Sequence, residues 1–321
     1  MSELTMGQAN QQVFADTLLA CAKKDASIYI VTSDSRGSGK LVPFGKQLPD
    51  QLVEVGIAEQ NLVGTSAGLA AAGKRVFAVS PASFLTIRSL EQIKNDVCYS
   101  DWPVRIIGIS AGVSYGALGS THHSLHDYAA LRCINNIDIV APADNFETRE
   151  AVFAALDYDR PLYLRFGKKP MPNLHSEDTR FEVGKALTVR AVEGHADVTF
   201  VAIGEPVGRA VDAADMLAAE GISARVLSMH TLRPFDTDAL LEAASSSSAL
   251  ITVEEHSVYG GLGEACAGVL MQHRVFVPMH IAGIPDEYTI TGSQFEILDH
   301  YGISGTGLAQ TARRLLDEVP A

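Results

Sequence analysis

The chain has 321 residues, 47% of them apolar and 20% charged, with 25 basic against 38 acidic side chains and a formal net charge of −13. At roughly 150 residues per domain, that length predicts two domains, each able to bury its own core. The acidity is spread along the chain, and no Lys/Arg cluster could neutralise a run of phosphates, so nucleic acid is set aside as a partner. No apolar run approaches the ~18 to 20 residues that span a bilayer, and residues 1–10 lack the basic and apolar regions of a secretory signal. Cys21, Cys98, Cys133 and Cys266 lie far apart without CxxC spacing, as buried thiols of a reducing compartment do. The expectation is a soluble cytoplasmic protein with no membrane contact.

In chain order, a helical pattern over 5–23 precedes a β-branched run at 27–32. Helix 58–72, strand 75–79, helix 85–99, strand 104–109, strand 138–140, helix 146–156 and strand 161–166 follow. Such alternation predicts right-handed βαβ units and a parallel sheet covered on both faces. Two prolines and mixed charge over 168–180 break the pattern, and 171–180 is read as a linker. Beyond it come strand 198–203, helix 207–220, strand 224–229, helix 237–244, strand 249–253, helix 263–273, strand 275–281 and helix 307–318. The serines at 245–248 read as a helix end or turn. The predicted fold class is α/β, with two doubly wound domains at 1–170 and 181–321, the second smaller.

Ligands of such sheets sit beyond the carboxyl ends of the strands, which directs attention to the loops 33–40, 80–84 and 110–126. Two glycine-rich segments there and elsewhere fail as nucleotide motifs. Before Gly39-Lys40 the position required to be glycine is Asp34, and Leu41 stands where a phosphate loop needs Ser or Thr for Mg²⁺. The segment 260–268 lacks the third dinucleotide-binding glycine. His122, His123 and His126 have irregular spacing for a zinc site; a histidine facing substrate is the better reading.

Residues 55–73, VGIAEQNLVGTSAGLAAAG, carry Glu59 at the start of a helix whose small residues Gly64, Ala67, Gly68 and Ala71 permit close approach of another backbone. A Glu in the first turn complements the helix dipole. Buried at an interface, the same carboxyl keeps its proton and can serve as an acid.

GIAEQ at 56–60, SFL at 83–85, TH at 121–122 and LR at 131–132 follow one another in the order found in transketolases and deoxyxylulose-phosphate synthases. Over nearly its whole length the chain resembles the C-terminal half of a transketolase, the pyrimidine-binding domain plus the C-terminal domain. The resemblance implies thiamine diphosphate as cofactor. It assigns Glu59 to the N1′ nitrogen of the pyrimidine ring, where a protonated carboxyl promotes the imino form that activates the thiazolium carbon. It places Phe84 against the ring face, Asp34 near the thiazolium charge, and Ile87 and Leu90 where the family often has two more aromatics. It assigns His122 to the donor hydroxyl, and Arg165 and Ser38 to the sugar phosphate, with an interdomain ion pair as the other reading of Arg165.

Departures from the pattern point to an altered acceptor. Ser110 stands where transketolases commonly have histidine, Leu118 where they have aspartate, and an arginine near residues 5–7 is replaced. A changed polar pocket changes which sugar is accepted, so an atypical or phosphate-poor sugar is expected. The family's GDG motif for Mg²⁺ (or Ca²⁺) and the diphosphate does not occur. The resemblance therefore implies a split enzyme, in which this chain pairs with an N-terminal subunit holding the metal, as an α2β2 heterotetramer around a dimer of this chain. Two alternatives remain open: the β subunit of a 2-oxoacid dehydrogenase-type thiamine enzyme, and a non-catalytic scaffolding subunit.

Overall fold

The computed structural model describes residues 4–176 and 178–318. Residues 1–3 of the stretch read for a signal, residue 177 of the expected linker and residues 319–321 of the second domain lie outside the described residues. Two parallel-type sheets dominate the chain.

The first sheet has seven strands in the order Thr231–Arg233, Asp138–Val140, Leu162–Arg165, Arg105–Ile109, Arg75–Pro81, Ile28–Thr32 and Leu52–Glu54. Its neighbours run parallel except for the first pair. Arg105–Ile109 is buried at every position, as a central strand covered on both faces must be, and Arg105 is its one polar residue. The edge strand Thr231–Arg233 comes from the second half of the chain and pairs antiparallel with Asp138–Val140. That graft was not expected, because a three-residue strand leaves no periodicity to detect.

The second sheet has five strands, Met279–Ile284, Ser247–Ser257, Ala196–Ala202, Ala224–Ser228 and Leu187–Arg190, with only the last pairing antiparallel. Helices end where their signals say. Gly73 and Gly221, both at φ +81°, follow Glu59–Ala71 and Val207–Ala218, and Ser293 with Glu296 closes a capping box on Gln294–His300.

Four expectations are corrected. Residues 6–9 form a strand pairing with Pro170–Pro172, and the helix begins only at Asn10. The expected helix 85–99 breaks at Ser89 into Ala82–Arg88, a turn at Leu90–Gln92 and a π-helix at Ile93–Tyr99. The serine run is a helix end only in its first half, where Ser245 closes Thr237–Ser245 and Ser246 caps it, while Ser247 and Ser248 open the strand Ser247–Ser257, and the strand expected at 275–281 starts at Met279. Much of the expected linker is docked: the backbone N–H groups of Leu174 and His175 donate to Asp144, at 2.8 and 3.0 Å. Among the described residues no helix is long and apolar enough to cross a membrane.

Candidate active site

Each candidate group follows the carboxyl end of a strand in the first sheet. Leu52–Glu54 leads into Glu59, the first residue of the helix Glu59–Ala71 and only 4% exposed. Arg75–Pro81 leads into the helix Ala82–Arg88, which carries Phe84 near its start and Arg88 at its end. Arg105–Ile109 leads into the loop 110–126 that carries His122.

These groups touch in series. Arg88 donates from one Nη to both carboxylate oxygens of Glu59, each at 3.1 Å, and its guanidinium lies 4.3 Å from the centre of the Phe84 ring. Phe84 meets the His122 ring edge-on at 5.3 Å, and Tyr115 meets His122 the same way at 5.5 Å. Nδ1 of His122 is 3.0 Å from the Thr121 hydroxyl. Ile57, Ala58, Gln60 and Asn61 line a cleft of about 600 Å³ with Glu59 and Arg88. A cavity of similar size, about 580 Å³, lies between the 170–172 strand and Arg209, and contains none of these groups.

The second domain fixes the His122 loop. Gly112 sits at φ +61°, and a Cβ there would lie 2.3 Å from the carboxyl carbon of Glu255, so both the backbone and the space require glycine. Glu255 accepts from the Val113 N–H at 2.8 Å and from Gln294 Nε2 at 3.0 Å. Burial pushes its carboxyl above the usual range, although Arg165 pulls the other way. His123 is turned away from the cleft into a buried site, between the Thr289 hydroxyl at 2.7 Å and the Gly116 carbonyl at 3.0 Å, while His126 is exposed. Burial holds His123 below its ordinary value. Among the described residues no group of three or more His, Cys, Asp or Glu is placed to hold a metal ion.

Arg165 requires a correction. It is 6% exposed, and it donates to Asp127 at 2.7 Å, to the Ser124 carbonyl at 3.2 Å and to the Glu255 carbonyl at 2.8 Å. Its guanidinium ties the two domains and presents no open fork to a sugar phosphate. Burial pushes the Asp127 carboxyl up, but Arg165, then His256, pull it below the usual range overall.

The other expected residues are scattered. Ser38 is half-buried and its carbonyl accepts from Gln11 at 3.0 Å, while Ser110 donates to the same Gln11 side chain at 3.2 Å. Asp34 is exposed on its loop. Ile87 is 48% exposed beside Arg88, but Leu90 lies beyond the break at Ser89 and packs on the core. The break removes Leu90 from the helical face that Phe84 presents.

Sequence reasoning missed Arg88, Tyr115 and Lys168. Arg88 stands one helical turn after Phe84, a spacing at which side chains meet. The Lys168 ammonium lies 4.7 Å from the centre of the Tyr115 ring. Burial lowers the Lys168 pKa, and Lys40 and Lys169 nearby add to the effect.

A flat heterocycle with nitrogen at its edge fits this arrangement: Phe84 offers a face, Glu59 an edge partner, and a planar guanidinium already sits on both. The chain matches the family described as transketolase, pyrimidine binding domain, over residues 6–173, and transketolase, C-terminal domain, over residues 184–308. It belongs to the transketolase family. It is 47% identical to one of the subunits of the apulose-4-phosphate transketolase of Phocaeicola vulgatus, over 95% of this chain and 96% of the relative. It is 34% identical to a 6-deoxy-6-sulfo-D-fructose transketolase subunit of a Clostridium species, over 96% of this chain and 94% of the relative. Among solved structures, a split-gene transketolase described as an inactive β4 tetramer superposes with a TM-score of 0.86 at 35% identity, covering 98% of this chain and all of the other.

Proposed function

We propose that this chain is the C-terminal subunit of a split transketolase that moves a two-carbon ketol unit from a ketose to an aldehyde acceptor once an N-terminal subunit is bound. The observation that carries the reading is the contact series Glu59–Arg88–Phe84–His122 at the carboxyl ends of parallel strands. Thiamine diphosphate, when bound, supplies the nucleophilic carbon and the electron sink that C–C cleavage requires. Phe84 stacks on the ring and keeps water from that face. Glu59, only 4% exposed, would meet the edge of the ring and hold a proton at its nitrogen. His122 has Nδ1 beside Thr121, which leaves Nε2 to bond a hydroxyl of the sugar. Asp34 and Ile87 border the cofactor, and Ser38 lies on the substrate side.

Lys168 stands over the ring of Tyr115, which in turn meets His122, and this supports a donor or acceptor with an anionic tail. The two relatives are named for a sugar phosphate and a sulfo-sugar, and we extend that class, an unusual phosphorylated or sulfonated sugar, to this chain. Mg²⁺ (or Ca²⁺) and the diphosphate are assigned to the N-terminal subunit, and this chain to a self-dimer within an α2β2 heterotetramer in the cytoplasm. The inactivity stated for the β4 relative supports the need for a partner. Calorimetric titration of thiamine diphosphate with Mg²⁺ should give binding only when both subunits are present, followed by turnover in a screen of anionic ketoses and aldehydes. Tight binding to this chain alone would refute the division of the site.

A further inference from the structure

Arg88 is not explained by packing. Its side chain is 49% exposed and could extend into water, where a guanidinium is well solvated. Instead its Cζ lies over the Phe84 ring, 4.3 Å from the centre, and one Nη reaches both carboxylate oxygens of Glu59. Both contacts are of the kind that a protonatable, planar, nitrogen-edged ring makes: a π-face beneath, a carboxyl group at the rim. Glu59 lines the same cleft as Arg88, so whatever stacks on Phe84 and reaches Glu59 must take the volume that the guanidinium fills.

We infer that Arg88 is a displaceable stand-in for the aminopyrimidine ring, holding Phe84 and Glu59 in their binding arrangement and leaving as the cofactor enters. The inference rests on the proposed function, and it adds a step to it. Arg88 is a positioning residue that competes with the ring, so binding is reported at an affinity reduced by the share of molecules in which it is in place. The competition has a purpose in a split enzyme. A buried carboxylate without a partner is costly, and the guanidinium satisfies Glu59 until the ring replaces it. Because Arg88 ends its helix and is half exposed, it can swing outward without disturbing the helix Ala82–Arg88.

The reading differs from two simpler roles. If Arg88 only attracted the negative cofactor, its removal would weaken binding of any diphosphate. If it were a surface ion pair alone, its removal would leave binding untouched. The test uses the complex of this chain with its N-terminal subunit, wild type against R88A and R88K, with thiamine diphosphate and separately inorganic pyrophosphate titrated calorimetrically in the presence of Mg²⁺. Thermal melting before any addition checks the fold. R88A is expected to bind thiamine diphosphate roughly tenfold tighter, the scale set by losing a competing pair of about 1.4 kcal/mol, with R88K in between and pyrophosphate binding equal in all three. R88A is also expected to melt earlier than wild type before addition, because Glu59 has lost its partner. Equal or weaker thiamine diphosphate binding by R88A overturns the inference, as does a parallel change in pyrophosphate binding. No thiamine diphosphate binding by the wild-type complex overturns the proposed function and this inference together, whereas binding by wild type with no gain in R88A overturns the inference alone.

Discussion

Glu59 sits in the first turn of a helix, where unpaired N–H groups favour negative charge, and beside an arginine that favours it too. The proposed chemistry needs the opposite, a carboxyl that gives its proton to a ring nitrogen. The conflict disappears if Arg88 and the ring take turns at the same carboxyl group. Glu59→Gln separates charge from shape: the amide fills the same space and can still donate, but it cannot exchange a proton with the ring. Turnover of the reconstituted complex should fall by roughly 10² to 10⁴, the range for loss of a positioned acid, while the melting temperature stays near that of wild type. Undiminished turnover in Glu59→Gln would leave the scaffolding alternative standing. At this scale the sequence was most legible in which side chains would lie together: Phe84 contacts His122, and Phe84 and Glu59 both contact Arg88, the link that sequence reasoning missed. It was least legible where one residue can serve two roles. Arg165 at the end of a strand reads equally as a phosphate fork or as an interdomain tie, and only the burial of its three acceptors separates them. Lys168, three residues on, faces Tyr115.

Two elements carry the site without touching substrate. The loop 110–126 holds His122 because Glu255 reaches in from the second sheet and fills the place of a side chain at Gly112. Gly112→Ala puts a Cβ into that carboxyl group and a β-carbon at φ +61°, a conformation that costs roughly 1–2 kcal/mol by itself. The expected outcome is a protein that still folds but whose His122 contacts and turnover are lost, checked by activity together with circular dichroism. Retained activity would mean that Glu255 does not position the loop. The linker is the second element. His175 is buried between Asp144 at 3.2 Å and Glu147 at 3.6 Å. Burial raises Glu147 to about 7, opposed by His175 and reinforced by Asp144. Burial lowers His175, but its bond to Asp144 and the Glu147 charge raise it overall. A raised carboxyl contributes stability that is complete below its unfolded pKa, about 4.5, and is lost as pH rises through about 7. The raised His175 likewise contributes below about 6.5 and loses its contribution as pH rises further. These two groups therefore contribute a decline in stability from pH 5 to 8, and Glu147→Gln, compared with wild type over the same range, should remove the share between about 4.5 and 7, by about 1–3 kcal/mol. A steeper decline in the variant would contradict this assignment. None of this docking was visible in a segment read as linker, because its two prolines and mixed charge carry no periodicity, and the partners lie some 30 residues away.

At the scale of the whole molecule the alternation of strands and helices was readable, because the central strands must be apolar on both faces. What escaped reading were the joins between halves: the three-residue strand Thr231–Arg233 added to the first sheet, and Met6–Ala9 paired with Pro170–Pro172. Short strands bury too little to leave a pattern. One expectation about the joins was only half met, and it leads outside the chain. The helix Glu59–Ala71 spends glycine at 64 and 68, each costing about 1 kcal/mol against alanine in a helix, and close approach to another backbone would justify the cost. Within this chain a Cβ at Gly68 meets nothing within 4 Å, and one at Gly64 meets only the tip of Asp96 at 3.7 Å. Asn61, Gly68 and Ala71 are exposed on that helix. The same helix starts with Glu59, so a second copy laid along the small residues would bring its own surface to the mouth of the cleft. A two-fold pairing through one patch makes that helix contact its counterpart. Gly68→Trp has room in the single chain and should fold as well as wild type, since it lies in open space, yet it should prevent two helices from meeting. Sedimentation equilibrium should then show the chain shifted to a smaller species with unchanged circular dichroism. An unchanged oligomer would remove this helix from the interface, and would leave the two glycines without a structural reason.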